Sequence, residues 1–298
     1  MNRRNLLKGL VAGGVALAAG KRANPGPSLP TGSFCRAPRG GSVPLVRGPF
    51  DLAYQGTHIL TYGALQAVGR EYRSPQGGRL LVTGGGCDDG IAAVREGRAD
   101  LGGMCCPVAG SHARDLPWRQ LAWDIKVAVV HPDLPLRTLS LAALRDIASG
   151  AVRRWGDLGA GDRPVALVVR RHCPDKLEPV RDLLLAGRPA WSPRSLWVDT
   201  DQQLVDTVAR FPGAIGLVSR VLAAPMLATG RLRALHVDGA PPTPAAIRAG
   251  QYPLKGPLSV VFREWEDRRM QPLFDFLASA RGQALLGRQL VPVTAVPA

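Results

Sequence analysis

The chain has 298 residues, 46% of them hydrophobic and 20% charged, enough for a buried core arranged as one large domain or as two lobes. Its formal net charge of +15 is spread thinly, mostly as arginine. No basic block interleaved with aromatics and no nucleic-acid motif is present, which leaves an anionic ligand or surface, or a plain arginine bias, as the source of the charge. No apolar run reaches the roughly 18–20 residues that span a bilayer, so the mature protein is expected to be soluble.

The opening stretch, MNRRNLLKGLVAGGVALAAG, reads as a targeting segment rather than a membrane anchor. Arg3 and Arg4 form a twin-arginine pair, Leu10 to Ala19 supply a short Gly- and Ala-rich apolar run, and Ala16-Leu17-Ala18 gives a small-residue cleavage site. Residues 1–20 are therefore expected to direct export by the twin-arginine route to a periplasmic or extracytoplasmic compartment. Residues 21–48, rich in Pro, Gly and Arg, read as a linker.

From Phe50 onward short apolar runs alternate with helical patterns. FDLAYQG predicts a strand, HILTYGALQAVGREY a helix, RLLVTGG a strand, CDDGIAAVREG a helix and ADLGGMC a strand. A second block opens with the continuous apolar strand DIKVAVVHP. LSLAALRDIASG predicts a helix that starts on Ser140 and stops on Gly150. RPVALVVRR and AIGLVSR read as strands, and DKLEPVRDLLLAG and DQQLVDTVARFPG as helices. RRMQPLFDFLASARGQALLGRQL reads as an amphipathic helical finish. This alternation predicts an α/β architecture.

Four stretches resemble the periplasmic phosphate-binding proteins of ABC importers, in the order that family has them. They are GGGCDDGIAAVREGRADLGGMCCPV, IKVAVVHPDLPLRTLSLAALRDIASGAVRRWGDLG, LVDTVARFPGAIGLVSR and AAIRAGQYPLKGPLSVVF, which run from Gly84 to Phe262 and carry a resemblance read over roughly Phe50 to Leu290. The resemblance implies a two-lobed periplasmic-binding-protein-like fold with hinge strands and a ligand cleft between the lobes. Residues 49–122 with 221–298 would form one lobe and 123–220 the other. It implies a monomeric solute-binding protein that closes on a small ion or small molecule without catalysis, with an ABC importer membrane complex as partner and no nucleic acid. Helix N-termini at the carboxyl ends of strands suit such a ligand.

Carried over by position, the ligand-binding loops fall at Thr57-His58, at Cys87-Asp88-Asp89-Gly90, at Cys105-Cys106, and at Arg171-His172-Cys173 with Asp175 and Lys176. Where the family places Ser and Thr hydroxyls, this chain mostly has thiols, which are poor donors. Arg171 keeps the family's arginine. Asp88 and Asp89 are either cleft residues or caps on the outside of their helix.

Five cysteines are present, at 35, 87, 105, 106 and 173, with neither a CxxC pair nor a CxxCH site. Two readings of those in the loops stand side by side. One is disulfide bonding in an oxidising compartment, such as Cys87 to Cys105 or Cys106, or Cys173 to one of them. The other is a thiolate and imidazole site, from Cys87, Cys105, Cys106 and Cys173 with His58 and His172, for a thiophilic metal, a metalloid or an iron–sulfur centre. The ligand is accordingly an oxyanion such as phosphate, or a thiol-ligated metal or metalloid. A redox or electron-transfer protein with a permanently bound metal centre on the same fold is the competing class.

Overall fold

Apolar strands that alternate with amphipathic helices leave a sheet buried on both faces, and the chain builds one continuous ten-stranded sheet from them. The computed structural model describes residues 47–171, 178–264 and 268–293. The targeting segment, nearly all of the linker, and His172 to Lys176 lie outside these.

In chain order, β1 (Leu52–Thr57) runs into α1 (His58–Leu60), a π-helical stretch (Thr61–Leu65) and α2 (Gln66–Glu71), where one helix was expected. Then come β2 (Leu80–Gly85), α3 (Cys87–Arg95), β3 (Leu101–Met104) and the 13-residue β4 (Trp118–Val130). The next stretch holds β5 (Thr138–Leu139), α4 (Leu141–Ser149), β6 (Ala166–Arg170), α5 (Pro179–Leu185), β7 (Leu196–Val198), α6 (Asp201–Arg210) and β8 (Ala214–Ser219). The chain continues through α7 (Arg220–Ala228), β9 (Arg233–Ala234), β10 (His236–Val237), α8 (Pro244–Arg248) and β11 (Lys255–Val261). It finishes with α9 (Gln271–Ala278), α10 (Ala280–Gly287) and β12 (Val291–Pro292).

The stop signals for α4 act as expected. The Ser140 hydroxyl accepts from the Ala143 N–H at 3.0 Å, and Gly150 ends the helix at φ 80°. The single helical finish expected at the end is instead broken at Ser279. This residue leaves helical geometry (φ −63°, ψ 160°) and caps α10 by accepting from the Gly282 N–H.

The sheet order is β2-β1-β3-β11-β4-β8-β6-β7, with β9 and β12 also pairing with β4. β1, β2 and β3 are mutually parallel, as are β6, β7 and β8. β4 joins the two groups. Its first half pairs antiparallel with β11 and β12, and its second half, from Lys126, with β8 and β9.

The core follows this strand, with Ile125 and Val127 to Val130 fully buried, and it extends to Trp155, which donates its indole N–H to the Gly213 carbonyl. α3 approaches the sheet through glycine contacts. A Cβ on Gly90 would stand 2.6 Å from the Gln55 carbonyl oxygen and 3.1 Å from Gly56 Cα, so only the missing side chain allows the helix to lie that close. Gly90→Ala is expected to destabilise the protein by about 1–3 kcal/mol, because the obstacle is backbone and cannot rotate away. A urea midpoint equal to that of the parent would contradict this packing role.

Candidate functional site

The strand register brings two sets of carboxyl ends to one place. Met104, the last residue of β3, opposes Ser259 of β11, whose other edge carries Gly256 opposite Asp124 and Lys255 opposite Ile125. From the other side Ser219, the last residue of β8, opposes Lys126. β4 thus changes partners where the chain turns after β3, after β6 and after β8 converge. Crevices at strand carboxyl ends are where ligands enter open α/β sheets.

A cavity of about 50 Å³ lies at this junction. Its lining includes Ile59, Cys105, Cys106, Lys126, Arg170, Glu178 and Arg181, along with Asp201, Trp191 and Ser219. The size matches a few water molecules or one small ion, and not a bulky cofactor.

Charge in the wall is balanced and buried. Asp124 and Lys126 are two residues apart on one strand and so share a face. The Lys126 ammonium lies 3.1 Å from Asp124 Oδ2 and 3.9 Å from Glu178 Oε1, all nearly sequestered from solvent. Burial works against the lysine's charge, but Asp124 and Glu178, with Cys105 and Asp201, outweigh it and hold Lys126 protonated above the ordinary lysine range. Burial also raises Asp124, against the pull of Lys126 and of the Ser219 hydroxyl, which donates at 2.7 Å. Arg170, the last residue of β6, pairs with Asp201 in the first turn of α6 at 3.0 Å.

Glu178 caps α5. Its Oε2 accepts from the Arg181 N–H at 2.8 Å, while Oε1 is buried in the wall and has no hydrogen-bond donor among the described residues.

Cys105 and Cys106 line the same cavity, and Cys87 stands beside Cys105 outside the lining. Cys87 is the first residue of α3 and is buried, and Cys105 directly follows β3. Their sulfurs stand 3.4 Å apart, and the Cys105 N–H also points at Cys87 Sγ at 3.4 Å. Neither they nor Cys106 is in a disulfide. Hydrogen bonds from Cys106 and Cys87 draw the Cys105 thiol well below the usual thiol range. Burial opposes this, and the charges of Lys126 and Arg170 assist it.

The other expected residues are placed differently. Thr57 is buried and caps α1 through its hydroxyl, and His58 stacks on Tyr62, so the first loop meets the cavity through Ile59. Asp89 accepts from the Gly86 N–H at 3.2 Å as a cap, and Asp88 shares the same first turn, half-buried.

Arg171 is half exposed and pairs with Asp199 at 3.0 Å. Arg170, the residue before it, lines the cavity together with Arg181, and Arg171 lines a neighbouring cavity beside Arg170, Trp191 and Trp197. Among the described residues no group of three or more His, Cys, Asp or Glu side chains is arranged to hold a metal ion. His172, Cys173, Asp175 and Lys176 lie outside the described residues. Lys126, Arg170, Glu178 and Asp201 went unread in the sequence. The one signal for them was Asp124 and Lys126, two charges interrupting an otherwise apolar strand.

No family model matches the chain. It is 29% identical to the phosphate-binding protein PstS of Bacillus subtilis (strain 168) over 182 residues, which are 59% of this chain and 57% of that protein, so the match spans well under two thirds of the relative's length. A substrate-binding protein from Clostridium perfringens, solved with bound phosphate, superposes with a TM-score of 0.68 at 20% identity, covering 82% of this chain and 99% of the other. The regulatory domain of MetR, a LysR-family regulator from N. meningitidis, shares the fold more loosely, with a TM-score of 0.51 at 16% identity over 82% of this chain and 99% of that one. The fold alone therefore does not assign a role. In sequence and in its two-lobed α/β fold, the chain resembles the phosphate-binding proteins of ABC importers.

Proposed function

We propose that the protein is an exported solute-binding protein that captures a small, protonated oxyanion in the cavity at the middle of β4 and presents it to an ABC importer. The observation that carries this reading is the wall itself. Lys126 and Arg170 supply fixed positive charge, and Glu178 Oε1, whose ion-pair partner is the Lys126 ammonium at 3.9 Å, accepts a hydrogen bond from no described residue. A buried acceptor is costly unless a ligand brings a proton to it. Hydrogen phosphate and hydrogen arsenate carry such a proton at neutral pH, and sulfate does not.

Residues 49–122 with 221–298 and residues 123–220 would close on the ion as two lobes about β4, with no bond made or broken. Resemblance to substrate-binding proteins supports a role in binding rather than catalysis.

Calorimetric titration of the mature chain with phosphate, arsenate and sulfate tests the reading. Phosphate and arsenate are expected to bind one per chain, and sulfate about 100-fold more weakly or worse, the usual scale of discrimination when a built acceptor is left unmatched. Equal affinity for sulfate, or no binding of any oxyanion, would overturn it.

A further inference from the structure

The thiol pair has chemistry that ion binding does not use. We propose that Cys87 and Cys105 are a peroxide-reactive dithiol that closes to a disulfide within the folded protein. The two sulfurs already stand 3.4 Å apart, so a bond needs about 1.4 Å of approach to reach the ordinary S–S length. Two mobile side-chain torsions can supply that.

The roles of the two are unequal. Cys105 lines the cavity and is reached from it, whereas Cys87 is buried at the start of α3 and is not among the cavity's lining residues. Cys106 is not a competing partner for Cys105. Adjacent Cα atoms are about 3.8 Å apart across a trans peptide, below the separation a disulfide ordinarily spans.

The cavity of about 50 Å³ also selects the oxidant. A hydroperoxide fits, and a glutathione-sized or protein disulfide does not. The Cys105 sulfur attacks one peroxide oxygen, the O–O bond breaks, and hydroxide leaves to take up a proton as water, giving the sulfenic acid Cys105–S–OH. The Cys87 sulfur then gives up its proton and attacks the Cys105 sulfur. The S–O bond breaks, and the departing hydroxide leaves as the second water. In sum two thiols and one hydrogen peroxide give a disulfide and two waters, with the thiols supplying both electrons. The raised acidity of the Cys105 thiol, which favours its thiolate, assists the first step.

The test uses the mature, reduced protein with a small excess of hydrogen peroxide, followed by alkylation and peptide mapping by mass spectrometry. No oxyanion is needed, so the result is independent of the ligand reading. The expected product links the Cys87 and Cys105 peptides, and reductant reverses it. Iodoacetamide should label Cys105 at least tenfold faster than Cys106. Cys87→Ser should halt the reaction at a dimedone-trappable sulfenic acid on Cys105. Peroxide that leaves the pair reduced, or that joins Cys105 to Cys106 or Cys173, would overturn the proposal. Mapping of the unsubstituted chain decides this even if Cys87→Ser does not fold.

Discussion

Arg170→Ala is expected to weaken phosphate binding about 100-fold, while Arg171→Ala changes it less than about threefold. Arg170 is largely buried at the cavity, held by Asp201, and its removal takes away a charge-assisted donor and leaves that carboxylate facing the anion. Truncating one member of a buried charged pair at a binding site costs about 2–5 kcal/mol, which brackets the factor of 100. Arg171 is about half exposed, and its pair with Asp199 is screened by solvent. Calorimetry on both variants reads the difference directly. Equal losses, or a larger loss at Arg171, would place the anion elsewhere in the cleft.

The second large effect is electrostatic and depends on the state of the thiols. Oxidation of the Cys87–Cys105 pair is expected to tighten phosphate affinity about tenfold. In the reduced chain Lys126, Arg170 and Arg181 face Asp124, Glu178 and Asp201, so their formal charges cancel, and the Cys105 thiol, drawn below its usual range, adds negative charge to the extent that it ionises. Disulfide formation removes that charge without moving the cations. At an effective dielectric of about 20, one charge several ångströms away is worth on the order of 1–3 kcal/mol, and a factor of ten needs about 1.4. Cys105→Ser in reducing buffer should reproduce the gain. Titrations that give the same affinity for reduced, oxidised and serine forms would show that the sulfur carries no charge toward the ligand.

The parts of this architecture that were legible in the sequence are those set by local rules. Ser140 and Gly150 bracket α4 by capping chemistry, and the apolar runs of β1, β6 and β8 read as strands because burial on both faces demands continuous hydrophobicity. The first half of β4 was not legible, because Trp118 to Gln120 stay exposed or half-buried and break the apolar run. Nor was β11, where Gly256 and Pro257 look like a turn until antiparallel partners on both sides are known.

The site was legible by loop and not by side chain. Cys105 and Cys106 line the cavity, and at the arginine position it is Arg170, the neighbour of the carried-over Arg171, that lines it, a one-residue phase that carry-over by position cannot resolve. Glu178 and Asp201 enter from helix first turns, where an acidic residue already has a sufficient explanation as a cap.

The pairing of β11 with β3 and β4 also dictates an order of assembly. The strands from Lys126 to Val237 find their neighbours within one stretch of chain. The sheet around β1 and β3, by contrast, cannot complete its edge until β11 arrives, and the Tyr252 hydroxyl that fastens this region donates to a Lys126 carbonyl 126 residues earlier. Loop-closure entropy makes such distant contacts slow to form. During synthesis the middle of the chain can therefore consolidate first, while β3 and half of β4 wait with open edges, the form most prone to pairing with another molecule. A ribosome-bound chain ending before β11 should be the species that a holdase protects.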